Sequence, residues 1–129
     1  MKDLIIITDQ PITYDSCALI VKDSFKKLLL LGDEPNECIY MKKKKRGFEL
    51  WFTPEDVIDN PEFFMEEVME KCPNKKAYLT DFCYTHKSVA KKMIELLKPL
   101  YGHMWIQSDE SDKWYGTADE FIEIYCKEN

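Results

Sequence analysis

At 129 residues, with 45% hydrophobic and 13% aromatic side chains, the chain has the size and composition of one globular domain, residues 1–129, and not of a disordered chain. Its 18 basic and 24 acidic residues leave a net charge of −6, and Arg46 is the only arginine. This excludes nucleic acid as an expected partner, because a phosphate-reading surface wants a positive field and arginine's planar fork.

The apolar runs Leu4–Ile7 and Leu28–Leu31 fall far short of the roughly 18 residues that a membrane-spanning helix needs. No membrane partner is expected, and without an export signal the expected location is cytoplasmic. Cys17, Cys38, Cys72, Cys83 and Cys126 are odd in number and widely spaced, with no C-x-x-C pair. They read as reduced, mostly buried small hydrophobes and not as a disulfide or zinc framework.

In chain order, Leu4–Thr8 reads as a first strand, closed by Asp9-Gln10-Pro11 because proline cannot donate to a ladder. Tyr14, Cys17, Ala18, Val21, Phe25, Leu28 and Leu29 recur at helical spacing, which predicts a helix over 14–31 closed by Gly32. Leu19 and Ile20 spoil its polar face, so a strand through Ala18–Val21 competes. Glu37–Lys42 and Gly47–Phe52 predict a hairpin around the basic stretch Lys42–Arg46, which reads as a solvated turn.

Thr53-Pro54-Glu55-Asp56 and Asn60-Pro61-Glu62 each carry a helix start signal, an N-cap followed by proline and acids. Lys76–Thr80 predicts a strand, Thr85–Leu97 an amphipathic helix with Val89, Met93, Leu96 and Leu97 inward, and Met104–Gln107 another strand. That succession is what a strand–helix–strand crossover requires. Thr117-Ala118-Asp119-Glu120 is a capping box opening a last helix, with Phe121, Ile124 and Tyr125 inward. The expected fold is α/β or α+β: a single mixed β-sheet of about five strands with helices packed on it and one such crossover.

Three places could carry chemistry. Asp9, Asp81 and Asp109 each follow a strand and a hydroxyl residue. Convergent at one sheet edge they would hold Mg²⁺ for phosphoryl transfer or hydrolysis; taken singly, Thr-Asp and Ser-Asp are ordinary turn formers. Cys83 and His86 lie in a strand–helix junction, where a thiol can be activated or, with His103 or Cys72, hold a metal. Packing is the plainer account, since Cys83 falls between Phe82 and Tyr84.

The third place is an acidic, aromatic segment in which Asp109, Glu110 and Asp112 precede Trp114 and Tyr115. Aromatic anchors ringed by carboxylates suit capture of a basic protein. The leading expectation is therefore a cofactor-free binding module, of the kind exemplified by bacterial toxin-neutralising immunity proteins, with those five residues in contact. The Mg²⁺-dependent enzyme is second. The oligomeric state is not legible.

Overall fold

Alternation along the first strand decides how the chain is layered. The computed structural model describes residues 2–25, 32–34, 38–41, 46–52, 57, 58, 70, 76–108 and 114–126. In β1 (Lys2–Thr8), Leu4, Ile6 and Thr8 are buried on one face, while Ile5 and Ile7 point to the other. Because both faces are apolar, β1 fits only in the interior of a sheet. It lies between β6 (Ala77–Tyr84) and β7 (Met104–Ser108), antiparallel to both, with Ile6 opposite Thr80 on one side and Ile106 on the other.

The remaining strands are β2 (Gly32–Glu34), β3 (Cys38–Met41), β4 (Phe48–Trp51), β5 (Val57–Ile58) and β8 (Trp114–Thr117). The sheet order is β2-β3-β4-β6-β1-β7-β8, and β5 also pairs with β6. Its helices are α1 (Tyr14–Ser24), α2 (Lys87–Leu97) and α3 (Ala118–Tyr125).

The single sheet with helices on it, and its crossover, match the sequence expectation. β6 and β7, both antiparallel to β1, run parallel to each other and are joined through α2. The crossover is thus split by β1, so every paired strand in the described sheet is antiparallel and the expected mixed pairing does not arise.

Cores form on both faces. Leu4, Ile6, Leu50, Phe82 and Ile106 meet the buried sides of α1, α2 and α3, including Val21, Met93 and Phe121. A smaller cluster of Ile7, Ala77 and Trp105, with Ile5, Leu79 and Tyr115 against it, occupies part of the opposite face. Burying each such large side chain contributes roughly 1.5–3 kcal/mol.

Thr13 opens α1 with a reciprocal cap to Ser16. Thr117 opens α3 with the anticipated capping box to Glu120.

Several boundaries differ from expectation. α1 closes at Phe25, and Gly32 starts a strand instead of ending that helix. Val57 and Ile58 pair with Tyr78 and Ala77, so the helix signalled at Thr53 does not extend through them. The start at Asn60 lies outside the described residues, as do Cys72 and residues 42–45 of the basic turn. β6 runs on past Thr80 to Tyr84 because partners flank it on both edges: β1 on one, β4 and β5 on the other. Ile124 is exposed, while Phe121 and Cys126 fill the core. Among the described residues no helix is long and apolar enough to cross a membrane.

Candidate binding groove on the second sheet face

Helices cover one face of the sheet, and the buried Ile7–Ala77–Trp105 cluster occupies one end of the other. Among the described residues, that second face also carries a groove of about 430 Å³ lined from β4, β6, β1 and β7. Register determines which side chains share that face. One row across the sheet is Tyr40, Glu49, Cys83 and Asp3; the next is Cys38, Trp51, Asp81, Ile5, Gln107 and Tyr115. Leu4 and Phe82 also line the groove, but their side chains belong to the helix-covered core, so they offer it mainly backbone.

Three carboxylates, Asp3, Glu49 and Asp81, therefore stand on adjacent strands around Cys83, beside the exposed indole of Trp51. No described strand residue on this face is basic, since Lys2 alternates to the other side opposite Tyr84. The thiol registers the local field. Burial first, then a hydrogen bond donated to Asp3, then the charges of Asp3, Glu49 and Asp81 push its pKa from 9.0 up to about 12. A thiol so held is a poor nucleophile, the reverse of activation.

The proposed partner of that thiol is committed elsewhere. His86 is the N-cap of α2: its Nδ1 accepts from the Ser88 backbone N–H at 3.0 Å and lies 2.7 Å from the Ser88 hydroxyl. His103 is exposed and stacks on Trp105, with ring centroids 5.7 Å apart and planes at 13°. The Cys83–His86 catalytic or metal reading is not supported by this arrangement.

The strand-end aspartates do not converge either. Asp9 follows Thr8, the last β1 residue, which faces Tyr78 and Met104. Asp81 instead sits mid-strand opposite Ile5. Four positions of β1 separate them, roughly 13 Å at 3.3 Å per residue, too far for two carboxylates to share one Mg²⁺ at about 2.1 Å from each. Asp109 lies outside the described residues. Among the described residues no group of three or more His, Cys, Asp or Glu could hold a metal ion.

Of the acidic aromatic segment, Asp109, Glu110 and Asp112 also lie outside the described residues. Trp114 and Tyr115 are consecutive in β8 and so face opposite ways. Trp114 packs against Phe121 and Tyr125, at 5.8 Å and 5.4 Å between centroids. Tyr115 shares the groove face as the cross-strand neighbour of Gln107. The two aromatics therefore do not form one contact patch.

Asp3, Glu49 and Trp51 escaped the sequence reading. Each occupies an outward position of an alternating strand, which is the available signal, but their adjacency exists only once register is known. No family model, curated protein or solved structure matches the chain.

Proposed function

We propose that this protein is a binding module for a basic protein partner, which places lysine or arginine side chains in the groove between Asp3, Glu49 and Asp81 and packs against Trp51. The carrying observation is the convergence of three carboxylates from separate strands beside the exposed indole of Trp51 on one face of the sheet. Clustered charge of one sign accelerates encounter with an opposite partner and fixes its orientation. A large aromatic beside it supplies the apolar anchor typical of interfaces, and a guanidinium can stack on its face. The narrower form of this reading is a toxin-neutralising protein that caps a basic enzyme.

The test uses an arginine-rich peptide as the probe, followed by amide shifts and by association rate at several salt concentrations. Saturable shifts are expected at Ile5, Asp81, Cys83 and Gln107. The combined Asp3→Asn, Glu49→Gln, Asp81→Asn variant should associate roughly tenfold more slowly and lose most of the salt dependence. Shifts centred on α1 or on the outer side of α3, or an unchanged rate in the triple variant, would remove this groove as the site.

A further inference from the structure

Lysine and arginine bring the same charge to the groove but not the same shape. Six of the side chains that line it share its face: Asp3 and Ile5 of β1, Asp81 and Cys83 of β6, Trp51 of β4 and Gln107 of β7. Cys83 stands opposite Asp3, and Ile5 opposite Asp81. These four form one square of the sheet, with the two carboxylates across its diagonal. Trp51 adjoins Asp81 on the side away from Ile5, and Gln107 adjoins Ile5 on the side away from Asp81.

Diagonal neighbours on paired strands lie roughly 7–8 Å apart. Aspartate side chains are short, stand up from the pleat and repel one another, so the two carboxylates keep about that separation. A single ammonium, with hydrogen bonds of about 2.8 Å to either side, spans less. A guanidinium adds the width of its own fork and presents N–H donors in both directions. A carboxylate has about four acceptor positions, so Asp3 can accept from a guanidinium and still keep the Cys83 thiol as a donor.

The other diagonal is Ile5 and a protonated thiol, a neutral floor on which the strongly hydrated lysine ammonium would shed water without return. The faces of a guanidinium are weakly hydrated and lose little there. Trp51, 38% exposed, offers a second flat surface beside Asp81, and a cation held on that carboxylate can stack on the indole. Building on the basic-partner reading, we infer that the groove binds arginine in preference to lysine. One guanidinium bridges Asp3 and Asp81, and Trp51 packs against its plane. Glu49, on the far side of Cys83 from Asp3, adds negative charge that both cations feel alike.

The experiment titrates the full chain with hexa-arginine and with hexa-lysine, peptides of equal charge, and with a hexa-arginine whose guanidinium groups are asymmetrically dimethylated. Backbone amide shifts and the Trp51 indole N–H resonance follow binding. Saturable shifts are expected at Ile5, Asp81, Cys83 and Gln107, with affinity for hexa-arginine roughly tenfold above that for hexa-lysine. Dimethylation keeps the charge but blocks the fork, so that peptide should bind no better than hexa-lysine. In Asp3→Asn and in Trp51→Ala the preference for arginine should shrink to about twofold or less. Both positions are exposed and lie on different strands, so failure of one variant to fold leaves the other to decide. Equal affinity for hexa-arginine and hexa-lysine, undiminished binding of the dimethylated peptide, or an undiminished preference in either folded variant overturns the arginine inference and leaves a groove for basic partners in general. An absence of shifts in the groove with all three peptides overturns the basic-partner reading and this inference together.

Discussion

Two thiols keep their protons chiefly through burial, and at one of them carboxylates reinforce it. Cys17, packed in the core on α1, is raised from 9.0 to about 12 by burial, with a hydrogen bond involving Ser16 opposing the shift. Cys83 reaches about 12 through burial reinforced by the carboxylates of the groove. The Tyr101 hydroxyl is raised as well, again chiefly by burial. A group with a higher pKa in the fold than in the unfolded chain holds its proton when the unfolded chain has already released it. Unfolding is then favoured as pH rises, from the ordinary thiol value of 9.0 toward about 12.

Urea midpoints should therefore fall across that window and remain steady just below it, and Cys17→Ala should flatten part of the fall. Alkylation provides the complementary measurement. Cys83 should react slowly at neutral pH and faster in Asp3→Asn, because that variant removes a negative charge and replaces the charged acceptor of the thiol's hydrogen bond with a neutral one. An Asp3→Asn protein with unaltered Cys83 reactivity would mean that the carboxylate does not govern the thiol.

Among the elements, β8 depends on an unusual fit. The Trp114 ring lies over Gly116, where a Cβ would come within 2.7 Å of Trp114 Cζ2 and Cη2. The same indole packs on Phe121 and Tyr125 of α3, so the ring cannot move aside without loosening the last helix. Gly116→Ala should cost about 1–3 kcal/mol in chemical denaturation, and a cost near zero would show that the indole has room to shift.

Where sequence reading succeeds and fails follows from the same kind of local detail. Capping boxes and amphipathic periods are local, so α2 and the start of α3 are legible from Thr117, Glu120, Val89 and Met93. β8 was not, because Trp-Tyr-Gly-Thr has no polar–apolar alternation when both sides of a strand meet aromatic neighbours. β6 was cut short at Asp81, whose charge suggests a turn. It remains in the strand because its side chain is directed to the second face while Thr80 and Phe82 are buried on the other. The groove itself needed pairings between Asp3, Cys83 and Glu49 that are distant in sequence.

At the scale of the molecule, β1 is the axis around which everything else is arranged. It bridges β6 and β7, and its side chains enter both cores. Ile6 is fully buried between Thr80 and Ile106, and Ile6→Ala should destabilise the protein by about 2–5 kcal/mol. That is a large share of the roughly 5–15 kcal/mol by which domains are usually stable. Denaturant titration measures it, and a loss below about 1 kcal/mol would mean that the centre of the sheet does not dominate stability.

The central position of β1 also bears on how the protein is made. The ribosome produces this strand well before its partners β6 and β7, which begin only at Ala77 and Met104. At about 5–20 residues per second, the apolar segment Leu4–Ile7 emerges and waits for several seconds before either neighbour exists. During that interval it is an adhesive, unpaired stretch on a growing nascent chain, and a holding chaperone at the tunnel exit would meet it before the fold does.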